Sequence, residues 1–184
     1  MESKNPTYEH SPSPVHRPPS PGFRIGIGND THRLARDRRL IIGGVGIEAE
    51  FGAEGHSDAD ALAHAITDAI LGALALGDIG SHFPDTDPHW RGADSLDLLR
   101  AVCDKMRAEG YAVVNVDSVV MLEHPRLRPH IDLMCERLAA ALDTKVSAVS
   151  VKAKTGERVD AVGESRAVMA QAVVMLRKTV VNAE

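Results

Sequence analysis

The sequence predicts an α+β fold in which a mixed sheet of about four strands is covered on one face by about three helices. Stretches rich in valine and isoleucine, such as residues 111–123, have the composition of strands. Longer stretches between them carry apolar side chains at helical spacing. The chain has 184 residues, of which 43% are hydrophobic, and this is enough for one domain with its own core.

The chain divides into a tail and one domain. Residues 1–22 hold six of the ten prolines, together with serines and hardly any aliphatic residue. Such a segment cannot bury enough apolar surface to fold, so we expect it to be disordered. Residues 23–180 are expected to form a single domain.

The first half of this domain is predicted to contain a strand, a turn and the strongest helix of the chain. The stretch "FRIGIGN" (23–29) is a strand candidate, and "RRLIIGGVGIEA" (38–49) gives a short strand, a Gly-Gly turn and a further apolar pair. Residues 58–77 have Ala- and Leu-rich helical spacing, with Gly77 as a candidate stop. A loop rich in Gly, Pro and Asp follows at 77–94.

The second half is predicted to alternate helices and strands. A helix at 95–110 ends at Gly110, a long strand covers 111–123, a helix covers 130–143 and a strand covers 145–155. The last apolar segment, 166–178, fits a helix or a strand. The alternation of its apolar residues favours a strand; these residues are Val168, Ala170, Ala172 and Val174.

Composition argues against several classes of partner. The formal net charge of −5 makes nucleic acid an unexpected partner. No apolar run approaches the roughly 20 residues that a membrane span needs, so no membrane association is expected. The two cysteines, Cys103 and Cys135, lie far apart in helix-like segments, which predicts buried, reduced thiols in a cytoplasmic protein.

The stretch "GNDTHRL", residues 28–34, places a carboxylate and an imidazole two residues apart after a strand. Side chains i and i+2 of a strand point the same way, so Asp30 and His32 share a face if the strand continues. The two residues could be metal ligands. Alternatively, Asp30 could belong to a turn and His32 could lie on the surface.

A second polar cluster interrupts the strongest helix. His56, Ser57 and Asp58 precede it, and Asp60, His64 and Asp68 follow at intervals of four residues, which is one face of a helix. One interpretation is a solvated face. The other is a functional face, because this stripe lacks the Lys, Arg and Glu that usually solvate a helix.

The loop that follows the helix forms a third cluster, with Asp78, Asp85 and Asp87 among glycines. An acidic loop is usually a turn, because aspartate favours turns. Asp30, His32 and His64 would together give one carboxylate and two imidazoles, and three protein ligands leave the fourth position of a tetrahedral Zn²⁺ open. A phosphate oxygen could take that position. A buried structural role is the alternative for each histidine.

Longer motifs resemble one family over almost the whole chain, from about Arg24 to Lys178. They read "RIGIGNDTHRL", "IIGGV", "HSDADALAHAITDAILGALALGDIGSHFPDTDP", "GADSLDLLR", "GYAVVNVD", "HPRLRPHI" and "VSVKAKTGE". In these the chain resembles the 2-C-methyl-D-erythritol 2,4-cyclodiphosphate synthase family of the non-mevalonate isoprenoid pathway. The resemblance implies a CMP-releasing, cyclising phosphorus–oxygen lyase and a homotrimer around a threefold axis, with sites between neighbouring subunits.

The resemblance also implies roles for individual residues. Zn²⁺ would be bound by Asp30, His32 and His64, and a second cation, Mg²⁺ or Mn²⁺, by Glu157. Catalytic positions would be His56, Thr155 and Glu157. Contacts with the nucleotide diphosphate substrate would come from His56, Ser57, Asp68, Asp78, Gly80, Asp85, Arg126, Lys154 and Thr155.

The chain departs from the family pattern at three places. Lys154 and Gly156 stand where hydroxyl residues are expected, and Lys154 could pair with a phosphate or block it. In residues 162–168 the order of Glu164 and Arg166 is exchanged and flanking glycines are missing. Arg126 and Arg128 make the nucleotide loop more basic than usual.

These departures keep two alternatives to the synthase open. One is an enzyme of the same fold acting on another nucleotide-linked phosphate. The other is a non-catalytic trimer that binds a nucleotide or an isoprenoid diphosphate.

Overall fold

The computed structural model describes residues 22–179, so the predicted disordered tail lies outside the described residues except for Gly22. The structure is an α+β fold with the strands β1 (Phe23–Arg36), β2 (Leu40–Ile42), β3 (Val45–Ile47), β4 (Phe51–Ala53), β5 (Tyr111–Met121), β6 (Val149–Lys154) and β7 (Ala167–Lys178). Five of them form a mixed sheet of order β4-β1-β7-β5-β6, and β2 and β3 form a separate two-stranded hairpin. The helices are α1 (Ala61–Leu74), α2 (Ile79–His82), α3 (Ser95–Ala108), α4 (Ile131–Leu142) and α5 (Asp160–Gly163).

The sheet is mixed because one of its pairings is parallel. β5 and β6 run parallel, with α4 in the connection between them, whereas β1 and β5 both pair antiparallel to β7. The predicted α+β class and mixed sheet are confirmed. The expectation of about four strands missed β4, whose three residues pair with the end of β1. A three-residue strand is too short to show a periodic pattern.

Helices cover one face of the sheet. Helix α1 packs against β1 and β7, α4 packs against β6, and α3 packs against both helices. These elements share one core cluster of aliphatic side chains, and both cysteines are buried and unpaired. The last strand, β7, confirms the interpretation that its alternation favoured, because its even-numbered residues from Val168 to Leu176 point into this core.

The first strand runs to Arg36, seven residues beyond the stretch "FRIGIGN" that the sequence marks as strand. Its even-numbered positions from Arg24 to His32 face α1, and two of these positions are glycines. A Cβ at Gly26 would lie 1.9 Å from the carbonyl oxygen of Ala69, and one at Gly28 would lie 2.0 Å from that of Ala65. The helix therefore lies directly on the strand backbone, which no larger residue would allow.

Asp60 joins the hairpin to the start of α1. Its side chain caps the helix by accepting from the backbone N–H groups of Leu62 and Ala63. It also accepts from Gly43 at 2.9 Å and Gly44 at 2.6 Å, the two residues of the predicted Gly-Gly turn, which both have positive φ. Asp60 is fully buried, so its role is structural and it does not belong to a solvated face.

The end of α1 differs from the expectation at Gly77. The helix stops at Leu74, and Ala75 takes the left-handed cap conformation with φ 58°. Gly77 has φ 87° in the turn that follows. Within residues 22–179, no helix combines the length and the hydropathy that crossing a bilayer would take.

Candidate metal centre and active site

Asp30, His32 and His64 meet at one point between β1 and α1. Oδ2 of Asp30 lies 2.9 Å from Nε2 of His32 and 2.9 Å from Nδ1 of His64. The two imidazole nitrogens are 3.2 Å apart. One ligand atom from each of the three residues therefore converges within 4.8 Å, which is a geometry that could hold a metal ion.

The local sequence explains why the three meet. The strand continues through "GNDTHRL", so Asp30 and His32 do share a face, the one turned towards α1. His64 is in the first turn of α1, and the glycine contacts at positions 26 and 28 bring this helix against the strand. The turn-and-surface interpretation of Asp30 and His32 is therefore wrong.

The outer nitrogens of both histidines are fixed by hydrogen bonds. Nδ1 of His32 lies 2.8 Å from the backbone carbonyl oxygen of Glu54. Because a carbonyl oxygen can only accept a hydrogen bond, Nδ1 must carry the proton in this contact. Nε2 of His64 lies 2.8 Å from Oγ of Ser95 and 3.1 Å from Oγ of Ser57. If the outer nitrogens carry the protons, both inner nitrogens present lone pairs to the same point, as metal-binding histidines do.

Electrostatics at this point favours a cation. Burial opposes ionisation of Asp30, but hydrogen bonds and the charges of His32 and His64 outweigh it and hold the pKa of Asp30 well below its usual range. Burial likewise opposes protonation of His32, but Asp30 outweighs it and raises the pKa of His32. The cluster is thus an ionised carboxylate that attracts positive charge. One oxygen and two nitrogens are a donor set that suits zinc and other transition metals.

The cluster opens on a cavity of about 160 Å³. Phe83 and Trp90 pack edge to face on its wall, with ring centroids 4.9 Å apart. The wall combines polar groups beside the metal cluster with apolar groups further out; its residues are His32, His56, Ser57, His64, Ile79, Gly80, Phe83, Asp85, Trp90 and Leu98. Such a site can hold the polar and the apolar parts of a small ligand at once.

The acidic loop borders this cavity through α2. Asp78 caps that helix by accepting from the backbone N–H and the hydroxyl of Ser81, and these bonds lower the pKa of Asp78. Asp68 accepts from the backbone N–H of Ile79 at 2.7 Å, and its burial raises its pKa. Asp68 therefore anchors the start of α2 to α1, while Gly80 and Asp85 face the cavity.

The remaining predicted residues lie elsewhere. Arg126, Lys154 and Glu157 are exposed, and none of them is among the described residues that line the cavity at the metal cluster. Thr155 donates a hydrogen bond to the carboxylate of Glu157. The backbone N–H of Gly156 donates to the buried carboxylate of Glu123 at 3.0 Å. A single chain therefore brings together only part of the predicted site.

One of the departures from the family pattern has a structural reason, and another has a local electrostatic consequence. A Cβ at Gly156 would lie 2.4 Å from the backbone nitrogen of Gly163, so a hydroxyl side chain does not fit in this loop arrangement. Glu164 and Arg166 pair with each other at 2.6 Å on the surface, so their charges are compensated within one chain. Nothing in the structure explains Lys154 in place of a hydroxyl residue.

Sequence reasoning missed Ser95 and the contribution of Asp58. Ser95 is the first residue of α3 and is fully buried, yet its hydroxyl contacts both His64 and the carboxylate of Asp58. Its distance of 31 residues from His64 in the chain left no local pattern to find. Trp90 was also missed, because a single aromatic residue in a loop carries no spacing signal.

Comparisons with known proteins identify relatives of this chain. The family model described as "YgbB family" matches residues 23–177. The chain is 57% identical over 156 residues to the 2-C-methyl-D-erythritol 2,4-cyclodiphosphate synthase of Solibacter usitatus, covering 85% of this chain and 98% of that protein. A CDP-bound structure of 2C-methyl-D-erythritol-2,4-cyclodiphosphate synthase is similar with a TM-score of 0.77 and 40% identity, covering 83% of this chain and 99% of the other.

A second solved structure leads to the same result. IspF of Plasmodium falciparum in complex with CDP has a TM-score of 0.76 at 31% identity, covering 86% of this chain and 98% of the other. The resemblance of the motifs is thereby confirmed, and the chain belongs to the YgbB family, together with the 2-C-methyl-D-erythritol 2,4-cyclodiphosphate synthases.

Proposed function

We propose that this protein converts 4-diphosphocytidyl-2-C-methyl-D-erythritol 2-phosphate into 2-C-methyl-D-erythritol 2,4-cyclodiphosphate and CMP. The observation that carries the proposal is the convergence of Asp30, His32 and His64 beside a small cavity whose wall combines polar and apolar groups. The extensive identity to synthases of this name supports it. The reaction makes the enzyme a cyclising phosphorus–oxygen lyase.

The reaction is an intramolecular phosphoryl transfer. An oxygen of the 2-phosphate attacks the β-phosphorus of the diphosphate, a new P–O bond closes the ring, and the bond from that phosphorus to the bridging oxygen breaks. CMP leaves with that oxygen. The attacking group is already an anion, so no side chain has to remove a proton, and the enzyme must chiefly hold the two ends together.

The metal-binding residues would hold Zn²⁺ through Oδ2 of Asp30, Nε2 of His32 and Nδ1 of His64. When bound, the ion supplies positive charge that offsets the repulsion between the two phosphates. His56 and Ser57 border the same cavity and would bind phosphate oxygens. Gly80 and Asp85 would contact the methylerythritol hydroxyls, with Asp68 and Asp78 holding their loop in place.

The nucleotide end of the substrate would be held by a neighbouring subunit. Arg126, Thr155 and Glu157 lie on loops and Lys154 ends β6, all of them outside the cavity of their own chain, which is expected if they complete the site of another copy. Glu157, beside Thr155, would bind the second cation, Mg²⁺ or Mn²⁺. This arrangement requires an oligomer, which we propose to be a homotrimer.

The uncovered face of the sheet supports the trimer. Phe23, Ile25 and Ile27 of β1 point away from the helices and are 55%, 70% and 59% exposed, and Val173 of β7 lies beside them. A row of exposed aliphatic and aromatic side chains on a sheet face marks a surface that another protein covers. We also place the enzyme in the cytoplasm, which the two free thiols favour.

Phosphorus NMR tests the activity. The purified protein is mixed with the cytidine diphosphate substrate, Zn²⁺ and Mg²⁺, and the spectrum is followed with time. We expect the signals of the substrate to be replaced by those of a cyclic diphosphate and of CMP. Unchanged substrate in a protein shown to contain zinc would contradict the proposal and would favour another nucleotide-linked phosphate as substrate.

A further inference from the structure

We propose that Ser95 and Asp58 form a hydrogen-bond relay that sets the tautomer of His64 and thereby makes its Nδ1 available to the metal. The relay has two links. The hydroxyl of Ser95 donates to Oδ1 of Asp58, and Nε2 of His64 lies 2.8 Å from the same hydroxyl oxygen. This inference rests on the metal centre proposed above and assigns positioning residues to it.

The direction of the relay follows from the carboxylate. Oδ2 of Asp58 accepts from the backbone N–H of Ser95 at 3.1 Å, and Oδ1 accepts from that of Asp60 at 3.2 Å. A carboxylate in such surroundings only accepts hydrogen bonds, so the hydroxyl proton of Ser95 points towards Oδ1. The oxygen of Ser95 is then left to accept, and Nε2 of His64 must be the N–H donor.

The consequence appears on the other side of the ring. A neutral imidazole carries one proton, so an Nε2–H leaves Nδ1 with a free lone pair. That nitrogen is the one that lies 2.9 Å from Asp30 and 3.2 Å from Nε2 of His32. Without the relay, Asp30 would draw the proton onto Nδ1, and this nitrogen could not bind a metal.

The relay is held in place by the backbone. The segment before α1 runs beside the segment before α3, with hydrogen bonds from the N–H of Asp58 to the carbonyl of Ala93 at 3.1 Å and from the N–H of Gly92 to the carbonyl of His56 at 2.8 Å. Ser95 itself is fully buried and His64 is only 9% exposed. Water therefore cannot readily replace the serine hydroxyl as the acceptor.

Ser57 offers a second, weaker acceptor. Its hydroxyl oxygen lies 3.1 Å from Nε2 of His64 and is not bound to a carboxylate within hydrogen-bonding distance among the described contacts. Its proton is free to rotate, so Ser57 can accept or donate and does not dictate the tautomer. The two serines can therefore be told apart by experiment.

The test is the zinc affinity of the full chain, measured at fixed pH by competition with a chelating dye. We expect Ser95→Ala to bind Zn²⁺ about 10- to 100-fold more weakly, as is typical when an outer partner of a ligating histidine is lost. Thr67→Val is the matched control. Thr67 is buried on the same helix, and its hydroxyl donates to the carbonyl of Ala63, away from His64. The zinc affinity of Thr67→Val should therefore equal that of the wild-type protein. Ser57→Ala should lose less affinity than Ser95→Ala.

A second variant covers the case in which Ser95→Ala does not fold. Asp58→Ala removes the acceptor of the Ser95 proton, so this proton can turn towards Nε2 of His64 and the tautomer of His64 is no longer fixed. A loss similar to that of Ser95→Ala is expected. In zinc-loaded wild-type protein, long-range proton–nitrogen spectra should also show the Nε2–H of His64 exchanging slowly with water, and faster in Ser95→Ala.

The outcomes separate the two proposals. If the wild-type protein binds no zinc, the metal centre fails and the relay fails with it. If the wild-type protein binds zinc and both Ser95→Ala and Asp58→Ala bind it equally well, only the relay is overturned.

Discussion

His64 is the residue at which three elements meet, because it lies on α1, contacts Asp30 and His32 of β1 and reaches Ser95 at the start of α3. We expect His64→Ala to lose more than about 100-fold in zinc affinity, beyond the loss typical of outer partners. Synthase activity should be lost with it. The far-UV circular dichroism spectrum should be preserved, since the capping of α1 by Asp60 and its core packing do not depend on this side chain.

Bound zinc, measured by mass spectrometry after dialysis, is the check on this variant. His89→Ala is its control, because His89 is an exposed histidine outside the cavity wall. Full zinc content in His64→Ala would show that the metal centre has been assigned to the wrong residues.

The two thiols give a second prediction at the residue scale. Burial raises the pKa of Cys103 to about 12, and burial also raises the pKa of Cys135. Thiolates are the reactive form, so neither cysteine should be modified at an appreciable rate by a disulfide reagent at pH 8 in the folded protein. Both should react at once in denaturant. Rapid modification of one thiol in the folded protein would show that the core around that cysteine opens.

Individual residues were predictable from sequence where the spacing was local. Asp30 and His32 are two apart on one strand, and spacing alone put them on one face. Predicting His64 as a ligand required the helical pattern and the family resemblance, because nothing local links it to β1. Predicting Ser95 required the three-dimensional structure, since only tertiary packing brings α3 to α1. Asp60 showed that an aspartate in helical register with functional residues can be a cap.

At the scale of elements, the close packing of α1 against β1 depends on two glycines of the strand, Gly26 and Gly28. We expect Gly28→Ala to destabilise the protein, because its Cβ would lie 2.0 Å from the carbonyl oxygen of Ala65. Overpacking of this kind typically costs about 1–3 kcal/mol, and here the obstacle is backbone that cannot rotate away. Zinc affinity should fall too, since moving α1 moves His64 away from β1.

Gly72→Ala is the matched control, because it adds the same methyl group on α1 where the nearest atom is 3.7 Å away. Removing a glycine from a helix should stabilise the protein by roughly 0.5–1 kcal/mol. Thermal unfolding measures both changes, and a shift of about 2–4 °C per kcal/mol is typical of this size. Shifts of the same sign in the two variants would contradict the close contact of α1 with β1.

Elements were predictable where the pattern was long. Helices α3 and α4 and strands β5 and β7 agree with the spacing of their apolar residues to within a few positions. The extension of β1 through Arg36 was not visible, because its second half faces the polar metal centre and carries no apolar alternation. Asp30 and His32 occupy positions where apolar residues would otherwise show the alternation by which a strand is recognised.

At the scale of the whole molecule, composition and pattern predicted one domain and an α+β class, whereas the proposed assembly depends on a surface that a single chain leaves open. Ile27 is 59% exposed on the helix-free face of the sheet, and its neighbour across the strands is Val173, which is 41% exposed. We expect Ile27→Glu to dissociate the proposed trimer, because a buried carboxylate at a subunit contact has no partner there and its desolvation is costly. Sedimentation velocity should show a monomer of about 20 kDa, consistent with the 19.7 kDa chain.

The expected loss of activity in Ile27→Glu tests whether the site lies between subunits. The Asp30, His32 and His64 cluster is complete within one chain, so the monomer should still bind Zn²⁺, while turnover should fall because the loops of Arg126 and Glu157 no longer reach a neighbour's cavity. Leu133→Glu is the control, since Leu133 is 42% exposed on α4 and away from the open face. A trimer that survives Ile27→Glu would move the subunit contact elsewhere, and a fully active monomer would show that one chain holds the whole site.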